Sequence, residues 1–122
     1  MSNTIMKMGI VESRFADIIW KNEPISSGEL FKLAEQELTW KRQTSYTVLK
    51  RLCERGIFKQ EGRMISACIS REEFYAMQSE QFVEETFDGS LPAFLAAFAT
   101  RKPLTAQEIA QIREMIDSYE EA

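Results

Sequence analysis

The chain contains no histidine and only two cysteines, Cys53 and Cys68. Without an imidazole, neither a Ser-His nor a Cys-His nucleophile pair can be assembled, and the usual zinc ligand sets lose their nitrogen donor. The two cysteines lie far apart with no paired-cysteine motif, so they read as buried, reduced thiols and no metal is expected. No glycine-rich phosphate loop or paired-carboxylate motif stands out from the solvated charges. No enzyme, catalytic residue or cofactor is therefore expected. No apolar run approaches the ~20 residues of a membrane span. Lys7 is followed by neither the apolar core nor the small-residue cleavage site of a signal peptide. These absences point to a cytoplasmic protein without membrane insertion.

The 122 residues amount to about one domain's length, enough to bury roughly two-thirds of the unfolded surface. With 15 basic and 19 acidic side chains the net charge is -4, which by itself argues against a polyanionic partner. Dividing the chain reverses that inference. Residues 1–69 hold 11 Lys and Arg against 8 Asp and Glu, a net of +3, whereas residues 70–122 hold 4 against 11, a net of -7. The basic excess is sharpest over residues 39–69, where Lys41, Arg42, Lys50, Arg51, Arg55, Lys59 and Arg63 are opposed only by Glu54 and Glu61, a net of +5. That is where a nucleic acid should dock.

Helix starts are clearly marked. Ser26 with Glu29, Ser70 with Glu73 and Thr105 with Glu108 each place a hydroxyl at an N-cap, a glutamate three residues on and apolar residues on either side, the pattern of a capping box with a hydrophobic staple. From these marks the expectation is six helices and one hairpin, a mainly α fold. The first helix, about 9–22, buries Val11, Phe15, Ile18 and Ile19 and stops before Pro24. The second, 26 to about 37, contributes Leu30, Leu33 and Ala34. The third, about 41–55, packs Val48, Leu49, Leu52 and Cys53, with Gly56 as a left-handed C-terminal cap. Residues 57–60 and 64–69 read as strands, with Glu61, Gly62 and Arg63 at the turn. Three helices and a hairpin make an N-terminal winged helix-turn-helix domain over residues 1–69, followed by a C-terminal helical region over residues 70–122.

If Val48, Leu49 and Leu52 face inward, a 3.6-residue period turns Arg42, Gln43, Tyr46, Thr47 and Lys50 outward, with Thr44 at the margin. Such side chains suit base edges. Arginine contacts guanine bidentately, glutamine does so with adenine, and a threonine methyl or tyrosine ring packs on the thymine methyl. Lys41, Arg51 and Arg55 are placed for phosphates or solvent, and Arg63 at the wing tip for a minor-groove or backbone contact.

These residues resemble a known family, the penicillinase and methicillin-resistance repressors with their copper-responsive relatives, often called the BlaI/MecI/CopY family. The likeness runs from about Ile10 to Ser118. It rests on Ile18, Ile19 and Trp20 closing the first helix, the Pro24 turn, Trp40 before the third helix, Thr44, Leu49, Arg51 and Leu52 within it, and Gly56 before the wing. Ser70 to Phe74 and Phe87 to Ser90 look like the family's linker and helix junctions, and Leu104 to Ile116 like its terminal helix. The resemblance implies a homodimeric transcriptional repressor. Such proteins pair through C-terminal helices and set two winged heads on an inverted-repeat DNA operator.

The C-terminal region supports pairing on its own terms. Phe74, Phe82, Phe87, Leu91, Phe94, Leu95, Phe98, Ile109, Ile112, Ile116 and Tyr119 are too many apolar groups for a few short helices to hide alone. The alternative is that they fold back on the head as one larger core. A symmetric dimer would meet successive major grooves with half-sites about one turn, ~10 base pairs, or a multiple apart. In the antibiotic-resistance branch a membrane sensor protease cuts before a phenylalanine, commonly after asparagine; the aligned bond here joins Ala97 to Phe98, with alanine in place of that asparagine. The copper branch's C-terminal Cys-x-Cys pairs have no counterpart in this tail. Ser13 stands where many members carry tryptophan, and Ser45 where they carry a branched apolar residue. A rival function from a different class is a winged-helix adaptor that binds a protein partner and not DNA.

Overall fold

The computed structural model describes the backbone of residues 8–121 and the side chains of residues 8–119. Helix α1 (Ile10–Asn22) turns Phe15, Ala16, Ile18 and Ile19 inward at three-four spacing. Val11, expected on that face, is exposed in the first turn, outside the core cluster. Strand β1 (Ile25–Ser26) follows. It pairs antiparallel with β3 (Met64–Ala67), Ile25 against Ile65 and Ser26 against Met64, and β3 pairs on its other edge with β2 (Phe58–Glu61). The sheet therefore has three strands in the order β1-β3-β2, one more than the hairpin expected. Because Glu61 pairs with Met64, it belongs to a strand, and the turn is Gly62 and Arg63 alone. Gly62 supplies the positive φ (66°) that a two-residue hairpin turn requires.

Ser26 both ends β1 and caps α2 (Ser27–Leu38), its hydroxyl accepting from the Glu29 amide at 3.2 Å. Helix α2 buries Leu30, Phe31 and Ala34 and closes on Thr39 in the left-handed region, φ 56°. Helix α3 (Arg42–Glu54) buries Ser45, Val48, Leu49 and Leu52, and Gly56 at φ 82° turns the chain into β2.

The first turns of α4 (Arg71–Thr86) return to this core. The Ser70 hydroxyl accepts from the Glu73 amide at 3.0 Å, and Phe74 one residue on is fully buried. The Trp20 indole N–H donates to the Ile69 carbonyl at 3.0 Å. Its ring centroid lies 5.1 Å from Phe58, 5.7 Å from Phe74 and 6.1 Å from Tyr75. Phe74, expected among the dimerisation residues, has its ring inside the head. Compact packing divides the described residues within α4, between Gln81 and Phe82.

The second unit holds the end of α4, α5 (Leu91–Arg101) and α6 (Ala106–Glu121). Its caps are well made. Ser90 accepts from the Ala93 amide at 3.1 Å. Thr105 and Glu108 form a reciprocal box, 3.0 Å from the Glu108 amide to the Thr105 hydroxyl and 2.9 Å from the Thr105 amide to the Glu108 carboxylate. Phe82, Phe87 and Phe94 contact edge to face at centroid distances of 5.9, 6.0 and 5.7 Å, and Phe98 joins Phe94 at 6.3 Å. Yet none of the described residues from 82 onward is buried.

Two side chains depart from the expected packing. The Ser45 hydroxyl is fully buried with no hydrogen-bond partner among the described residues, whereas that of Ser13 donates to the Ile10 carbonyl at 2.7 Å. An orphaned buried hydroxyl costs about 1–3 kcal/mol. Ser45→Ala is therefore expected to stabilise the head by about 1 kcal/mol in denaturant unfolding; a loss of stability would contradict this environment. Cys53 is only partly buried and Cys68, just past the end of β3, is exposed, which corrects the reading of both as buried. Burial pushes the Cys53 thiol above its ordinary pKa, with Cys68 and Glu54 adding to the rise. Thiolate is the reacting form. An alkylating reagent should therefore label Cys68 first and Cys53 more slowly, with the Cys53 rate climbing only at higher pH, as peptide mapping would show.

Candidate nucleic-acid interface

Helix α3 starts at Arg42 with Lys41 as its N-cap, no side chain capping its amides and no acid in its first turn. The positive end of the helix dipole and two cations therefore stand together with no acid in the helix's own first turn, an arrangement that favours an anion such as phosphate. Along the helix, Lys41, Arg42, Gln43, Thr44, Tyr46, Thr47, Lys50 and Arg51 are exposed, while Ser45, Val48, Leu49 and Leu52 between them are buried. The structure thus places all the outward candidates of α3 on its solvent side.

Their settings differ. The Arg42 guanidinium lies over the Phe31 ring, 5.1 Å from its centroid, a cation–π contact of about 0.5–1 kcal/mol at an exposed site. Phe31, Arg42, Gln43 and Tyr46 together line an open groove of ≈ 500 Å³ between α2 and α3. The Thr47 hydroxyl donates to the Gln43 carbonyl at 3.0 Å, leaving its methyl as the apolar group it can offer. Arg51 is tied to α1 through an ion pair with Glu12 at 2.6 Å, so its charge is partly neutralised within the chain.

Arg63 is exposed at the wing tip. Its carbonyl accepts from the Ser27 amide at 2.8 Å, and the Gln60 side-chain amide donates to the Gly62 carbonyl at 3.1 Å. Through Ser27 the turn is anchored to the first residue of α2, the helix that carries Phe31. Wing and α3 are thereby fixed to one scaffold.

Phe31 is the residue that sequence reasoning missed. It follows Leu30 in an amphipathic run and passes for another core residue; only the fold brings α3 across its ring.

In the second unit, Phe82, Leu91, Phe98, Ile109 and Ile116 are exposed, whereas Phe87, Phe94, Leu95 and Ile112 are half-buried. Met115 and Tyr119 add exposed apolar surface on α6. Ala97 and Phe98 are exposed in the middle of α5, so the bond between them lies inside a helix. No helix of the described residues is long and apolar enough to cross a membrane.

Three packed helices, a hairpin anchored beside them and a cationic outward face on the third helix define a winged helix-turn-helix protein. The chain belongs to the penicillinase repressor family, whose sequence model matches residues 8–118. It is similar to the penicillinase repressor of Bacillus licheniformis, with 24% identity over 119 residues covering 94% of this chain and 93% of the relative. It is accordingly a DNA-binding transcriptional repressor.

Proposed function

We propose that this repressor is a cytoplasmic homodimer that sets two copies of α3 into successive major grooves of an inverted-repeat operator, each wing resting on the adjacent backbone or minor groove. The observation that carries the reading is the division of α3 into a buried apolar side and an exposed side made of Arg42, Gln43, Tyr46, Thr47 and Lys50. Arginine and glutamine supply bidentate base contacts, and the lysine neutralises phosphate. Pairing is supported by the second unit, which shows no buried residue among those described yet exposes Phe82, Leu91, Phe98, Ile109 and Ile116. A second copy is the economical cover for such a surface. The net charge of -7 over residues 70–122 keeps that half off the phosphates and the basic heads on them.

A membrane sensor protease is the proposed route of induction, acting at the Ala97–Phe98 bond. Because that bond is helical, α5 would have to open before cleavage. The cut would separate Phe98 from Phe94 and release α6, removing apolar surface that the dimer needs.

Selecting bound duplexes from a random pool with the full-length chain tests the proposal. The expected outcome is an inverted repeat with half-site centres about one turn, ~10 base pairs, or a multiple apart. Affinity for it should fall steeply with salt as counterions are released. Enrichment of a single asymmetric site would contradict the symmetric dimer. Retention of no duplex at low salt would favour a protein partner for the winged head.

A further inference from the structure

Phe31 belongs to α2, yet its ring supports a residue of α3. It is 8% exposed, rooted in the core cluster and so held in place, and it forms the floor beneath Arg42 and beside Tyr46 in the groove between the two helices. A guanidinium has two kinds of surface. Its flat face stacks on an aromatic ring, while its N–H donors all point outward in the plane. Held over the Phe31 ring, its Cζ 5.1 Å from the centroid, Arg42 is already oriented and has less rotamer freedom left to lose when its N–H donors meet a guanine. What remains of the groove is the Phe31 floor and the Tyr46 ring, with the Gln43 side chain at their edge, beside the position a base pair read by Arg42 would occupy. In the major groove the apolar feature of a base edge is the 5-methyl group of thymine.

We propose that Phe31 is a specificity-determining residue: it positions Arg42 on a guanine and, with Tyr46, forms the apolar seat for the methyl group of a thymine next to that guanine. The inference rests on the DNA-reading role proposed for α3. It adds that part of the sequence preference is set from the neighbouring helix. Phe31 acts by supporting Arg42 and by offering a ring to one methyl group.

The test uses the full-length wild-type chain and the inverted repeat it selects from a random pool. Each thymine is replaced in turn by deoxyuridine, which removes the methyl and leaves pairing unchanged. The expected result is one sensitive thymine per half-site, adjacent to a guanine, whose replacement weakens binding roughly fourfold, the worth of one buried methyl. Phe31→Leu should shrink that sensitivity and relax the preference for the neighbouring guanine. If the wild type binds its repeat and no thymine-to-deoxyuridine replacement matters, the methyl seat is overturned and the repressor reading stands. A sensitivity that persists undiminished in Phe31→Leu overturns the role of Phe31. If no duplex is selected, the DNA-reading role of α3 fails with it. The deoxyuridine series needs no protein variant, so it decides the methyl seat even if Phe31→Leu folds poorly.

Discussion

Replacing Arg42, Gln43 and Lys50 together by alanine is expected to weaken operator binding by about a thousandfold or more while leaving the fold and the dimer intact. Two base-reading side chains per head, each contributing at least about 1 kcal/mol, are lost twice in a symmetric complex, and about 4 kcal/mol corresponds to a factor near 10³. Loss of Lys50 should also lower the salt dependence, by about one unit of slope per head. All three side chains are exposed, and alanine is at least as good a helix former, so thermal unfolding should barely move. Titration of a labelled inverted repeat, run beside a melting curve and sedimentation, measures all three quantities. Undiminished operator affinity in the triple variant would remove α3 from the interface.

Phe74→Ala is expected to have the largest effect on stability, about 3–5 kcal/mol, because a fully buried ring against Trp20 and Tyr75 is replaced by a cavity. That is a large share of the ~5–15 kcal/mol that holds a typical domain folded. Trp20 and Trp40 are the only two tryptophans, and both pack on the head's core, so their fluorescence in a denaturant titration reports the head directly. Phe98→Ala, in the second unit, should leave that transition in place and weaken self-association instead. If Phe74→Ala left the fluorescence transition unchanged and dissociated the dimer, the assignment of Phe74 to the head would be wrong.

The contrast between these two phenylalanines shows what a sequence can and cannot announce. The exposed face of α3 is legible because its apolar residues recur at helical spacing and its polar ones fill the gaps, and the winged-helix architecture follows from three such helices and a hairpin. The place of Phe74 in the head is not legible, because counting apolar residues after Ser70 does not reveal which of them turn back toward Trp20. β1 escaped notice since two residues are too few to alternate, and it becomes a strand only when Ile65 lies beside Ile25. The pairing of Arg51 with Glu12 spans 39 positions and the seat of Arg42 on Phe31 joins two helices; neither leaves a local trace. Ser45 stands out in the sequence at an apolar position, and the fold supplies the consequence, a buried hydroxyl with no partner among the described residues.

A hydroxyl-radical footprint of the wild-type chain on its selected inverted repeat tests most directly the claim that two copies of α3 enter neighbouring grooves of one duplex. The account predicts two protected patches on the same side of the helix, symmetric about the dyad and about one turn apart, with two chains bound per duplex. A single patch occupied by one chain, or uniform cleavage at low salt, would contradict it.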